Sequence, residues 1–334
     1  MQTNCSVTII LRAHNAEETI AQAIASTLNQ SFADFELWVL ENGSKDRTAE
    51  VARRFDDPRV RVFELGPVGQ SGAIQYAIEK SSSEWLALMD ADDLMLPNRL
   101  KVQMEVIRQI PNLVLVGTAY ACVTPFGHVF ERISLTPSGS VAQSRDVDIS
   151  SMSRGRFFAD GSAIFNRRIA LEAGGIDPEF SYADLPLFFR LLARGKGWEI
   201  AEPLYLYRIQ PRSMSRSKDF ADEARRIRAK YAPHTLRHFV SQNGSNGAWD
   251  LISSLELLTG DRPVLQEIAG HLEKHGFVFE AKQLRWRSHL GQVGSAYYRW
   301  RSRRQYRYRP DWERLFEPVL KLDGQCVARQ GIRR

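Results

Sequence analysis

Five short apolar runs rich in β-branched residues, separated by segments of helical periodicity, fill the first 120 residues and leave few architectures open. They are Val7 to Leu11, Phe35 to Leu40, Val60 to Phe63, Trp85 to Met89 and Val114 to Tyr120. Strands that alternate with helices read as parallel strands joined by crossover connections, so an α/β fold with a mostly parallel, Rossmann-like sheet flanked by helices is predicted. Between the first two runs Ile20, Ile24 and Leu28 recur every fourth residue, and Asn15 with Glu18 has the spacing of a capping box opening that helix. Asn42-Gly43 supplies turn chemistry after the second run, Ser44 is placed to cap a helix starting near Asp46, and Pro97 to start a further one.

In such a sheet ligands bind beyond the carboxyl ends of the strands. His14, Glu41 and the acids of Asp90 to Asp93 all fall there. Leu88-Met89-Asp90-Ala91-Asp92-Asp93 runs an apolar strand straight into three carboxylates, which repel one another unless a cation neutralises them; hard oxygen ligands suit Mg²⁺ or Mn²⁺, with substrate phosphates completing the shell. A solvated acidic turn capping the helix at Pro97 is the alternative. Glu41 either hydrogen-bonds a pyrimidine imide or caps the helix after it, and His14 either stacks on a base or is an ordinary surface histidine. Gly69 to Gly72 forms a flexible turn before a helix, where backbone amides can approach a phosphate.

With 334 residues the chain is longer than one typical domain, and a composition of 43% hydrophobic and 25% charged residues excludes disorder of the whole. Three cysteines, odd in number and widely spaced, indicate neither a disulfide framework nor a zinc site. With no basic segment leading into a long apolar stretch, a cytoplasmic protein is expected. Ser134 to Ser153 reads as a long loop or lid. From about Asp219 the pattern turns helical with no further convincing strands, after which a linker-like stretch covers 241–247. Residues 297–309 combine Arg299, Arg301, Arg303, Arg304, Arg307 and Arg309 with five aromatics and no acid, which suits either a solvated helix face or peripheral contact with the anionic inner face of a membrane.

Taken in order and spacing, these motifs resemble the family 2 glycosyltransferases of the GT-A fold. That family opens with a Pro-x-(Tyr/His)-Asn loop, continues through an acid-(Asp/Asn)-Gly-Ser-x-Asp segment, and reaches a strand ending Asp-x-Asp-Asp before Leu-Pro. This chain has Arg12-Ala13-His14-Asn15, Glu41-Asn42-Gly43-Ser44-Lys45-Asp46, and Asp90-Ala91-Asp92-Asp93 before Leu96-Pro97. Further on, Arg167-Arg168 and Gly174-Gly175-Ile176-Asp177-Pro178-Glu179 look like the stretch preceding the family's catalytic acid. Ala183-Asp184-Leu185-Pro186-Leu187 then stands for Glu-Asp-x-x-Leu, and the resemblance ends near residue 215.

The resemblance implies inverting transfer of a sugar from a nucleotide-sugar donor, a UDP-sugar first, to a hydroxyl acceptor that is a glycan or lipid-linked saccharide; no nucleic acid is expected as a partner. It implies Asp184 as general base, Asp90 and Asp92 at a divalent cation (Mg²⁺ or Mn²⁺), and Arg12, His14, Asn15, Glu41, Gly69, Ser71, Asp90 and Ala91 around the donor. Gly161 and Ser162 are candidates for the acceptor wall. Residues 1–218 would form the GT-A domain, with a donor half to about 120 and an acceptor half to 218, and residues 219–334 a helical region with the basic aromatic tail. Three positions depart from the family pattern: Arg12 for proline, Ala183 for glutamate and Gln210 for histidine. Arg12 adds a positive charge near the diphosphate or forms a salt bridge to a neighbouring acid. The rival reading is an inactive or non-enzymatic protein that binds nucleic acid or membrane through its tail.

Overall fold

The computed structural model describes residues 5–124, 129–132, 144–149, 152, 158–209, 222–224 and 226–231, scattered positions between 266 and 285, and 306–308. Strands β1 (Val7–Ala13), β2 (Phe35–Glu41), β3 (Val60–Glu64) and β4 (Trp85–Asp90) pair in parallel in the order β3-β2-β1-β4. All seven residues of β1 and of β2 are buried, which is why their sequences read as continuous rather than alternating apolar runs. Successive side chains serve opposite faces. Val7, Ile9 and Leu11 pack with Ile20, Ile24 and Leu28 of α1 (Ile20–Leu28) and with Leu100 and Met104 of α4 (Arg99–Gln109). On the other face Ile10, Leu86 and Leu88 meet Ile74 and Ile78 of α3 (Gly69–Lys80) and the apolar side of α6 (Asp184–Leu192). Two short helices, α2 (Thr48–Arg53) and α5 (Arg167–Glu172), complete the flanks.

Beyond β4 the sheet becomes mixed. β9 (Ile164–Asn166) runs antiparallel between β4 and β6 (Leu113–Val123). Strand β10 (Lys196–Arg208) lies parallel to β6 and also pairs with β5 (Leu94–Met95) and β8 (Arg145–Val147). Register shifts around Pro203 bend β10, as expected where a proline interrupts a ladder, so that its last turnings pass beside the Asp90–Asp93 loop. At the far edge β7 (Val129–Arg132) pairs with β11 (Tyr306–Tyr308), a strand inside the stretch read for helices alone.

Two local readings are corrected. Asn15 does not open a capping box: it adopts a left-handed conformation (φ 48°), its Oδ1 accepts from the Lys45 amide at 2.8 Å, and α1 begins only after Thr19, with no side-chain cap. Ser44 does not cap α2 either; it accepts from the Asn15 amide, and Asp46 takes the Thr48 amide instead. In both cases a tertiary contact between loops wins over the local cap. Of the expected lid at Ser134 to Ser153, residues 134–143, 150, 151 and 153 lie outside the described residues, as do Gln210 and all of 297–309 except 306–308. Among the described residues no helix is long and apolar enough to cross a membrane.

Candidate active site

Three loops after β1, β2 and β4 converge on one edge of the sheet, tied by their own polar groups. The Asn42 amide donates to Ala13 O, His14 Nδ1 lies 2.8 Å from Asn42 O, and Asn42 Oδ1 accepts from the Gly69 amide at 2.8 Å. Gly43 has φ +68°, and a Cβ there would meet the Pro67 nitrogen at 3.0 Å, so the turn requires glycine on both counts. Glu41 is nearly buried and accepts from the Ser44 amide in the turn before α2; the helix itself begins only at Thr48, so Glu41 does not cap it. Gly69 to Gly72 is the first turn of α3 rather than a turn before it, and the Gly69 amide is already taken by Asn42. Ser71 Oγ is directed at the carbonyls of Phe180 and Ser181, both at 3.1 Å, and so joins this edge to the loop before α6. His14 and Asn15 are exposed at the rim.

The acids of the fourth strand divide into two kinds. Asp93 is buried and committed to the fold: it accepts from Tyr205 Oη at 2.7 Å and from the Arg208 amide at 2.8 Å, both on β10, and burial with the charges of Asp92 and Asp90 pushes its pKa well up. Asp92 makes no such commitment. Burial first, then the charge of Asp90, raises its carboxyl to about 6. Arg208 closes the loop by donating from Nε to Asp92 O. Ala91, buried between the two acids, donates its amide to Arg12 O.

At the centre stands Arg12. Its Nη1 is 2.8 Å from both carboxylate oxygens of Asp184, and its Nη2 is 2.6 Å from Asp90 Oδ1. The side chains of Arg12 and Asp184 are 6% and 3% exposed, whereas Asp90 keeps 28% of its surface open. Burial works against the Arg12 charge, but Asp184 and Asp90 outweigh it and hold its pKa well above the ordinary arginine value. Burial likewise raises the Asp184 carboxyl, with Arg12 opposing. Of the two readings for Arg12 the structure displays the salt bridge, made to the two acids on which the chemistry was placed.

Gly161 sits where a Cβ would come within 2.1 Å of Tyr205 Oη and 2.9 Å of Asp90 Oδ2, so it lines the site as bare backbone. Ser162 is fully buried and its hydroxyl is spent on the carbonyls of Ala159 and Thr118, so it supports that wall from behind. Asp160 escaped the sequence reading. Tyr182 Oη donates to its Oδ2, its Oδ1 is buried without a hydrogen-bond partner, and burial followed by the charge of Asp184 pushes its carboxyl up to about 7. Its only signal in the sequence was an acid directly before Gly161-Ser162. Arg99 was also missed: fully buried, it donates to Leu88 O at 3.0 Å, stacks 5.2 Å over the Tyr205 ring, and is lowered to about 10 by burial.

Among the described residues no group of three or more His, Cys, Asp or Glu side chains is arranged to hold a metal ion. The pair that remains fits a cation supplied together with a substrate: Asp90, partly open, and Asp92, crowded by its neighbour, offer hard oxygens and leave other positions for phosphate and water.

A parallel sheet with acids, a glycine-backed wall and a second buried acid at its carboxyl edge defines a GT-A type fold. Residues 8–172, just under half of the chain, match the family model "Glycosyl transferase family 2". It is 27% identical over 220 residues to the O-antigen biosynthesis glycosyltransferase WbnJ of Escherichia coli, a match spanning 63% of this chain and 82% of that protein. It is 33% identical over 102 residues to the E. coli UDP-Glc:alpha-D-GlcNAc-diphosphoundecaprenol beta-1,3-glucosyltransferase WfgD, covering 30% of this chain and 40% of that one. The fold is similar to that of S. aureus TarS 1-349 in complex with UDP-GlcNAc, with a TM-score of 0.56 at 14% identity over 87% of this chain and 93% of the other. It is also similar to the mannosyltransferase PcManGT from Pyrobaculum calidifontis in complex with GDP-Man and Mn2+, with a TM-score of 0.51 at 15% identity over 90% and 85%.

Proposed function

We propose that this glycosyltransferase is inverting and metal-dependent, and that it moves a sugar from a UDP-sugar to a hydroxyl of a glycan or lipid-linked saccharide during cell-surface glycan assembly. The observation that carries the reading is the single guanidinium of Arg12 joining Asp90, on the donor side, to Asp184, at the start of α6. The relatives' printed activities support the substrate classes: one acts in O-antigen biosynthesis, another takes UDP-Glc to a diphosphoundecaprenol-linked sugar. A UDP-GlcNAc complex and a GDP-Man complex with Mn2+ among the structural neighbours support a nucleotide-sugar donor at this edge.

In this mechanism Asp184 removes the proton of the acceptor hydroxyl as that oxygen attacks the anomeric carbon from the side opposite the diphosphate. Arg12 opposes the effect of burial on the Asp184 carboxyl and orients it before the acceptor arrives. Asp92, with Asp90, would hold Mg²⁺ or Mn²⁺, which when bound neutralises the departing diphosphate. His14, Asn15, Glu41, Gly69, Ser71 and Ala91 frame the donor, and the Gly161 backbone leaves room for the acceptor. The domain division proposed is a donor half to about residue 120, an acceptor half to 218 and a further region to 334; contact of residues 297–309 with an anionic membrane would bring a lipid-linked acceptor within reach.

Calorimetry with a panel of UDP-, GDP- and dTDP-sugars, each with Mn²⁺, Mg²⁺ or EDTA, tests the donor site on wild type and Asp92→Asn. Metal-dependent binding of one nucleotide that the variant loses is the expected result. Silence across the panel would remove the reading of an active enzyme.

A further inference from the structure

Beyond β10 the chain returns as helical residues 222–224 and 226–231, which lie against the loop leading into α6. Glu223 gathers that loop. Its Oε1 accepts from the Ser181 amide at 2.5 Å, and its Oε2 accepts from Ser181 Oγ at 2.6 Å and from the Tyr182 amide at 3.3 Å. The other end of the same helical segment holds the start of the loop: Lys230 Nζ reaches Asp177 Oδ2 at 2.8 Å and Glu179 Oε2 at 2.5 Å, and Tyr231 Oη donates to Asp177 Oδ2 at 3.1 Å. Between these ends Ile227 is fully buried, and the Tyr231 ring stacks on Phe189 of α6 with centroids 5.1 Å apart.

The loop so held ends at Ala183, which offers α6 no side-chain cap, and the next residue is Asp184. The backbone amides fixed by Glu223 lie two and three positions before that carboxylate. Bonds from N–H groups to an ionised carboxylate are roughly twice as strong as neutral ones, so Glu223 grips the strip of backbone that sets where Asp184 points. Tyr182, in the middle of that strip, carries the hydroxyl that reaches Asp160.

We propose that Glu223 is a positioning residue for Asp184: a carboxylate brought from outside the family-matched segment to a loop where this chain has Ala183 in the place of an acid. The proposal rests on the reading of Asp184 as the base. Helical residues 222–224 and 226–231 then act as part of the acceptor side, which extends the proposed acceptor half beyond residue 218.

The test uses the full-length protein and the variants Glu223→Gln, Glu223→Asp, Lys230→Met and Asp184→Asn. Turnover is followed as UDP release from the UDP-sugar that binds, with a short-chain GlcNAc-diphospho-lipid or water as acceptor, and UDP binding is followed by calorimetry. Glu223→Gln should lower kcat by about 10- to 100-fold, the scale expected when a catalytic group is misplaced by an ångström, while donor KM, UDP affinity and Tm stay at wild-type values. Glu223→Asp should recover part of the loss, and Lys230→Met should lower Tm without a comparable fall in kcat. A Glu223→Gln kcat within twofold of wild type, or a loss shared equally by Tm, donor KM and kcat, overturns the proposal. Wild-type turnover in Asp184→Asn would instead overturn the base assignment, and the positioning role with it.

Discussion

Arg12 places one nitrogen midway between the two oxygens of Asp184 and another against Asp90, so acids from opposite sides of the site share one buried cation. The fold thereby joins the end of β4 to the start of α6 through one side chain.

Replacing Arg12 by methionine keeps the volume but leaves Asp184 buried without its partner. Breaking one side of a buried ion pair costs about 3–5 kcal/mol, and a loss on this scale is expected in urea denaturation. Arg12→Lys, with a compact ammonium that cannot span both acids, should fall between. A methionine variant as stable as wild type would mean that the pairing contributes nothing.

Asp184→Asn retains the shape of the carboxylate proposed as base and removes its basicity. Turnover should fall about 10²- to 10⁴-fold while nucleotide binding measured by calorimetry is unchanged; Asp92→Asn should show the reverse order of effects, losing metal-dependent nucleotide binding first. Equal losses of binding in both variants would argue against separate roles.

Asp160 and Asp92 give the metal-free protein a pH signature. Their folded-state carboxyls stand at about 7 and about 6 against an ordinary value of 3.8, so the folded state holds protons that the unfolded chain has released. Stability from these groups is therefore fully present below about pH 4 and is lost as pH rises through 6 and 7. Asp160→Asn, which cannot ionise, should gain on wild type in denaturation experiments as pH rises from 4 to 7. An advantage that does not change over that window would contradict the raised carboxyl.

Gly161→Ala puts a methyl into Tyr205 Oη. Overpacking of this kind costs about 1–3 kcal/mol, and because the displaced hydroxyl holds Asp93, metal-dependent nucleotide binding should weaken along with Tm. An alanine variant with unaltered Tm would show that the wall can yield.

How much of this was legible in the chain depended on where each residue finds its partner. β1, β2 and β4 could be read because both faces of each are covered, which imprints continuous apolar runs on the sequence, whereas β3, at the sheet edge, has no buried residue. β10 could not, since its neighbours β5, β6 and β8 are far away in sequence and Pro203 speaks against a strand. Asn15 and Ser44 looked like caps because capping is a local pattern, whereas their bonds run to each other's loop. Asp90, Asp92 and Asp184 stood out through a motif; Asp160 and Glu223 belong to no motif, and their position becomes meaningful only when Tyr182 and Ser181 are brought to them.

The pairing of β11 with β7 covers the outer side of β7 with a three-residue strand from far along the chain, which becomes the edge in its place. A protein cut just before residue 306 would lose that cover and bare a row of unpaired amides and carbonyls on β7, the template on which sheets recruit further strands. Material prepared in that shortened form should therefore self-associate, and the three residues of β11 act as a guard on solubility.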